Sequence, residues 1–280
     1  MTRVTLGLLH PGDMGTSVGL AAQSNGARVV WAAEGRSVAT ARRARTAGFE
    51  SSPDLAALVA RSDVIVSVCP PHGAEALAQA VVTAGFRGLY IDANAISPER
   101  ARRIATLITT AGGHFVDGGI IGRPPRGPGE TRFYLSGPDA GQAAALFRGT
   151  LQEPIMVGLE PGTASALKMA YAAWNKGQIA LGLAVAALAR KQGVEAALMA
   201  EWERSQPGLV KRIRNDAVPV SAKAWRWTGE MQEIASTFQS ADLPRGFHEA
   251  ACAIYESLTP FRKGKPPDFD SVMAAVLDGQ

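Results

Sequence analysis

The 280 residues are 46% apolar and 19% charged, with 29 Lys and Arg against 25 Asp and Glu. This composition describes a globular chain long enough for a large core and two domains, and excludes a disordered or fibrous one. A net charge of +4 without a concentrated basic stripe argues against a nucleic-acid partner, and the longest uncharged apolar run, Gly177 to Ala189, is too short to span a bilayer.

Thr2 to Leu9 reads as an apolar strand, and it leads into Gly7-Leu8-Leu9-His10-Pro11-Gly12-Asp13-Met14-Gly15 and an Ala-rich helix. A strand, a tight glycine turn and a helix N-terminus together make an anion site, because the first helical amides have no intrahelical partner. Gly12 lets the backbone approach a pyrophosphate, and Gly15 lets helix and strand pack closely. His10 stands where the G-x-G-x-x-G pattern has its first glycine. Pro11 biases its predecessor to extended geometry, so His10 is expected to end the strand without a positive φ. No basic, apolar, cleavable leader opens the chain, and Cys69 and Cys252 stand far apart without metal-ligand company. The expectation is a cytoplasmic protein with two reduced core thiols.

The second strand, Ala27 to Trp31, ends in Ala32-Ala33-Glu34-Gly35-Arg36-Ser37. An acidic side chain here suits the ribose hydroxyls of NAD, whereas arginine with a hydroxyl suits the extra phosphate of NADP. Both are present. Arg36 and Ser37 open the helix carrying Arg42 and Arg43, so NADP is the expected cofactor, with NAD through Glu34 as the alternative. A helix over Ser37 to Ala47, a weak strand over Phe49 to Ser51 and a helix from Pro53 follow. Asp63 to Cys69 is a buried parallel strand ending in Pro70-Pro71-His72-Gly73. Pro70 to His72 are therefore expected to border the nicotinamide half, with Cys69 and, at the end of the strand Gly88 to Asn94, Asn94 as further cofactor-binding candidates. Ser97-Pro98 starts a helix by cap and first-turn preference. Gly113 to Gly122 is a strand with a glycine-rich exit, followed by a Pro/Gly/Arg loop (Arg123 to Gly129), the strand Thr131 to Ser136 and the helix Pro138 to Arg148. Alternation of strand and helix predicts a Rossmann-like, doubly wound parallel sheet over residues 1–160.

Residues 161–280 show only helical signals, beginning with an unbroken run from Gly162 to Gln192. Helices are expected over Glu195 to Ser205, Pro207 to Asn215, Trp227 to Ser240, Pro244 to Ser257 and Pro267 to Leu277. An all-α domain built on one apolar helix buries little alone, which argues for a homodimer formed through that helix. Within it, Lys168, Tyr171 and Asn175 fall at i, i+3 and i+7 on one face. Small and apolar neighbours would partly desolvate the Lys168 ammonium and ease its proton transfer. The competing reading is a surface lysine, although a cation near a helix N-terminus opposes the dipole there.

The order of elements, the Gly7–Gly15 motif and the segment Gly162-Thr163-Ala164-Ser165-Ala166-Leu167-Lys168 resemble the β-hydroxyacid dehydrogenase superfamily. That group includes 6-phosphogluconate and 3-hydroxyisobutyrate dehydrogenases and the related imine reductases. The C-terminal part, with Arg226-Trp227, Glu230-Met231, Glu233-Ile234 and Phe247-His248-Glu249, resembles a subgroup of 6-phosphogluconate-dehydrogenase-like proteins. The resemblance implies an interleaved dimer, an NAD(P)-dependent dehydrogenase or reductase acting on a small molecule, and Lys168 as general acid/base. It places the substrate near Gly119, Ile121 and Gly122, with Trp227 and His248 as further candidates. The family's substrate-binding serine falls on Ile121, and its asparagines after the lysine fall on Tyr171 and Ala172, so an ordinary 3-hydroxy acid is a poor expectation. Trp227 also reads as a core or interface anchor, and His248 as a helix-packing residue. Imine reduction with Tyr171 as proton donor is the near alternative. A non-catalytic, NADPH-sensing protein is the alternative from another class.

Overall fold

A computed structural model of the protein describes residues 3–263 and 266–279. Thr2, the expected start of the first strand, lies outside the described residues. Among the described residues eight strands form one sheet in the order β3-β2-β1-β4-β5-β6-β7-β8. They are β1 (Thr5–Leu9), β2 (Arg28–Ala32), β3 (Glu50–Ser52), β4 (Val64–Ser67), β5 (Leu89–Asp92), β6 (His114–Gly122), β7 (Thr131–Ser136) and β8 (Gln152–Gly158). The helices between them are α1 (Asp13–Ser24), α2 (Val38–Thr46), α3 (Leu55–Arg61), α4 (Ala74–Thr83), α5 (Pro98–Thr110) and α6 (Ala140–Ala145).

Side chains alternate across each strand and feed two cores. Leu6, Leu8, Val64, Val66 and Phe133 face one side, and Leu9, Val30, Ile65, Tyr90 and Phe115 face the other. Burial on both faces is why these strands are apolar runs rather than alternating ones. Caps fall where short polar side chains precede apolar stretches: Ser37 for α2 and Ser97, followed by Pro98, for α5. Asp54, not Pro53, caps α3, accepting from Ala57 N at 2.7 Å.

Two features depart from the expected parallel sheet. β6 and β7 are antiparallel, because an eight-residue loop rather than a helical crossover joins them. β8 continues the sheet beyond the last expected strand, parallel to β7. Pro154 inside it is tolerated because β8 is an edge strand.

The chain divides into two compact units, Met1–Met169 and Ala170–Gln280. The 29-residue α7 (Thr163–Lys191) runs through the division and is followed by α8 (Glu195–Ser205), α9 (Leu209–Ser221), α10 (Ala224–Ser240), α11 (Gly246–Ser257) and α12 (Phe269–Asp278). α9 outruns its expected end at Asn215 and carries Pro219 in its last turns. In the second unit Tyr255 donates its buried hydroxyl to the Lys176 carbonyl at 2.6 Å and meets Trp227 edge to face at 5.2 Å. Lys176 ion-pairs with Glu230 and sits 5.2 Å from the Trp227 ring centre. Among the described residues no helix is long and apolar enough to cross a membrane.

Candidate dinucleotide and substrate site

The first unit gathers the glycine turn, the ends of β2, β4 and β5, the exit of β6 and Lys168. At the end of β1, His10 has φ 65°, which overturns the expectation of extended geometry. The reason is the sharpness of the turn. Gly12 N donates back to the His10 carbonyl at 2.7 Å, and α1 lies so close that a Cβ at Gly15 would clash with that carbonyl. His10 thus takes the left-handed conformation normally left to glycine, at a cost of about 1–2 kcal/mol.

A Cβ at Gly12, in contrast, would meet nothing within 4 Å, and α1 begins there without a side-chain cap. Open space in front of uncapped first-turn amides fits the pyrophosphate of a dinucleotide. Asp13 would oppose such an anion, but Arg43 pairs with its carboxylate at 2.9 Å and donates to the Pro11 carbonyl at 3.3 Å. Met14 packs against the core, and the Ser17 hydroxyl donates to its carbonyl at 2.8 Å.

Arg36 is half-buried, and its Nε has no hydrogen-bond partner among the described residues. Burial lowers its pKa, and its guanidinium acts electrostatically on two residues at the strand ends, His10 and Cys69. Burial, then Arg36, lowers the His10 imidazole to about 4, so it is neutral at physiological pH. Its Nδ1 is likewise without a partner among the described residues. Ser37 spends its hydroxyl as the α2 cap, accepting from Thr40 N at 3.2 Å. Glu34 is exposed, with its amide bonded to the Pro53 carbonyl at 3.1 Å.

Beyond β4, Cys69 N donates to Asn94 Oδ1 at 2.5 Å, while Asn94 Nδ2 donates to Ser67 Oγ at 3.0 Å. Asn94 is buried and ties the exits of β4 and β5 together, shaping the turn at Pro70 and Pro71 from behind. Burial, then Asp92, pushes the Cys69 thiol up to about 12, which makes it a poor nucleophile. Burial pushes the Asp92 carboxyl up to about 7, with Asp117 adding to the shift.

On β6, a Cβ at Gly119 would lie 2.7 Å from the Ala164 carbonyl oxygen and 3.1 Å from Lys168 Cβ, so this glycine lets α7 settle on the strand. Lys168 Nζ donates to the Ile120 carbonyl at 2.8 Å. Ile121 is buried, and Gly122 has φ 129° where the strand turns into the loop before β7. The other expected residues belong to the second unit. Tyr171 is 46% exposed and its carbonyl accepts from Asn175 Nδ2 at 2.8 Å. Trp227 is held between Tyr255 and Lys176. His248 is buried between Phe238 and Phe247, with ring centres at 4.3 and 5.1 Å. Asp117 secures the start of α7 by accepting from Gly162 N and Ser165 N; its place as the aspartate of the family's strand motif gave its position but not this capping role.

Residues 5–140 match the NAD binding domain of 6-phosphogluconate dehydrogenase, and residues 189–258 match a domain of unknown function, DUF1932. Fold and glycine turn therefore define a nicotinamide-dinucleotide-binding protein. Residues 5–140 belong with the NAD binding domains of 6-phosphogluconate dehydrogenase, and the chain as a whole is similar to the 6-phosphogluconate-dehydrogenase-like group of NAD(P)-dependent dehydrogenases and reductases. Over 162 residues it is 32% identical to an uncharacterized 28.5 kDa protein of Methanothermus fervidus, a match covering 58% of this chain and only 61% of that relative. A solved conserved protein of unknown function, described as structurally similar to 3-hydroxyacid dehydrogenases, is 27% identical with TM-score 0.68, over 92% of this chain and 98% of its own. A reductive aminase from Aspergillus terreus, solved with NADPH and ethyl levulinate, shares the fold at 18% identity and TM-score 0.58, over 98% and 99% of the two chains.

Proposed function

We propose that the protein is an NADPH-linked oxidoreductase that moves hydride to a carbonyl of a small metabolite, or from the corresponding alcohol, with Lys168 as general acid/base. The observation that carries this reading is the Lys168 ammonium, held 2.8 Å from the Ile120 carbonyl in the same compact unit as the glycine turn. The amides of Gly12 to Gly15 would hold the pyrophosphate, with Arg43 neutralising Asp13 beside it. Arg36 and the α2 N-terminus would take the 2′-phosphate, and Cys69 to Pro71 would border the nicotinamide. When bound, the nicotinamide supplies or accepts the hydride. Lys168 gives its proton to the substrate oxygen during reduction and takes it back in the reverse direction, with the Ile120 carbonyl orienting the ammonium. Asn175, next along α7, would orient the substrate.

A second reading, imine reduction with Tyr171 as proton donor, is favoured by the half-exposed phenol and by the likeness to a reductive aminase. A homodimer fits the exposed Tyr171, Trp174, Leu181 and Leu188, which repeat along α7 at helical spacing. Two unpaired thiols, Cys69 and Cys252, suit the reducing cytoplasm.

Titration with NADPH and NADH, followed by turnover of ketone and cyclic-imine panels, tests these readings. Saturable binding with NADPH the tighter ligand, and turnover of ketones, is the expected result. Preferential turnover of imines would favour the Tyr171 reading. Binding without any hydride transfer would leave a nucleotide sensor.

A further inference from the structure

The turn after β1 carries a side chain at the position where the glycine pattern has none. Among the described residues only His10 and Asp242 hold a positive φ without being glycine. Asp242 closes the end of α10, where a left-handed residue releases the chain and Leu243 N bonds the Phe238 carbonyl at 2.9 Å. His10 has no such local role. The sharpness of its turn accounts for the left-handed backbone, which glycine would adopt without strain, but not for an imidazole on it.

Strand register shows what stands beside that imidazole. β1 pairs with β2 with Leu8 opposite Trp31, so His10, two residues on, comes level with Ala33. Arg36 N donates to the Ala33 carbonyl at 3.2 Å, closing a turn that returns Arg36 toward the same level. α2 follows directly and is fastened to the His10 turn by Arg43, through the Pro11 carbonyl at 3.3 Å and Asp13 at 2.9 Å. The Arg36 charge accordingly acts on the His10 ring. Both side chains are half-buried, and His10 Nδ1 and Arg36 Nε lack hydrogen-bond partners among the described residues. Neighbouring acids do not engage them: Asp13 is paired with Arg43, Glu34 is exposed, and the Cys69 thiol, pushed up to about 12, is neutral. A guanidinium and an imidazole side by side without an acceptor cost stability and gain nothing in the free protein. A dianion between them would use the donors of both.

We propose that His10 is a second ligand for the 2′-phosphate of NADPH, gripping it together with Arg36, so that the residue in the first glycine position sets the preference for NADPH over NADH. This rests on the NADPH-linked reading. Glycine there would relax the backbone but offer the phosphate no donor.

The test titrates the full chain by calorimetry with NADPH, NADH, adenosine 2′,5′-bisphosphate and adenosine 5′-monophosphate, alongside thermal unfolding. Wild-type protein is expected to prefer NADPH to NADH and the bisphosphate to the monophosphate. His10→Gly should weaken NADPH and the bisphosphate by about 10–100-fold, while NADH and the monophosphate stay within about twofold. Because glycine takes φ 65° freely, this variant should be no less stable than wild type. His10→Asn, which tolerates the left-handed backbone and keeps an amide donor, should retain part of the preference. A His10→Gly protein with the full NADPH preference overturns the assignment, whatever its Tm. So does one that loses NADPH and NADH equally, the mark of a residue that only shapes the turn. Wild-type protein without a preference for NADPH is a separate result, which overturns the NADPH reading and the phosphate grip with it.

Discussion

Ser165 gives both of its donors to one carboxylate: its hydroxyl to Asp117 Oδ1 at 2.5 Å and its amide to Oδ2 at 2.8 Å. Gly162 N at 3.0 Å and Ser136 Oγ at 3.1 Å complete four donors on the same buried group. Asp117 therefore caps α7 from within the sheet, and its charge complements the helix N-terminus.

Burial raises the Asp117 pKa and these hydrogen bonds oppose the rise. Asp117→Asn turns an amide toward donors that need acceptors. A loss of about 2–4 kcal/mol is expected, measured by denaturant unfolding, with kcat falling as Lys168 shifts on its helix. Unchanged stability would show that the cap does not anchor α7.

Asp92 should give a pH dependence of the opposite sense to a paired carboxylate. Its native pKa is raised to about 7, chiefly by burial, and its Oδ2 has no partner among the described residues. The native state keeps a proton that the unfolded chain releases near pH 4. This stability is whole below that value and is lost as pH rises toward 7, by up to about 4 kcal/mol. Asp92→Asn should flatten the decline and raise Tm at pH 8; a variant no more stable than wild type at that pH would refute the point.

Two glycines of one turn should behave differently. Gly15→Ala forces a methyl against the His10 carbonyl, and Gly12→Ala meets open space. The first should lower Tm and abolish cofactor binding. The second should leave Tm within about a degree, since it disturbs no packing, and weaken NADPH at least about tenfold by blocking the amides. Thermal unfolding and fluorescence titration on each variant separate the two.

On the proposed reading, in which Lys168 moves a proton rather than holding phosphate, Lys168→Met should lower kcat by about 10²–10⁴-fold while cofactor affinity stays within twofold. Full turnover by this variant would remove Lys168 from the chemistry.

Leu181→Glu with Leu188→Glu places charges in the exposed apolar stripe of α7. Analytical ultracentrifugation should show a dimer for wild type and a monomer for the variant. A wild-type monomer would end the dimer reading.

Local signals in the chain were enough for much of the architecture. Apolar runs bounded by glycine and proline marked β1, β4 and β5, and Ser37 and Ser97-Pro98 marked the starts of α2 and α5 by cap chemistry that needs no distant partner. The glycine turn before α1 and the long apolar α7 were legible for the same reason. β8 escaped because Pro154 argues against a strand until its edge position is known.

By itself, then, the sequence determined the order of elements apart from β8, the glycine turn before α1 and Lys168 on the longest helix, since periodicity, capping and glycine freedom act over a few residues. Tertiary structure decided the antiparallel turn of β7, the left-handed His10 and the Asp117 cap. Each depends on strand register or on the approach of α1 or α7 to the sheet. Those contacts join residues distant along the chain, and no local preference encodes which of them will meet.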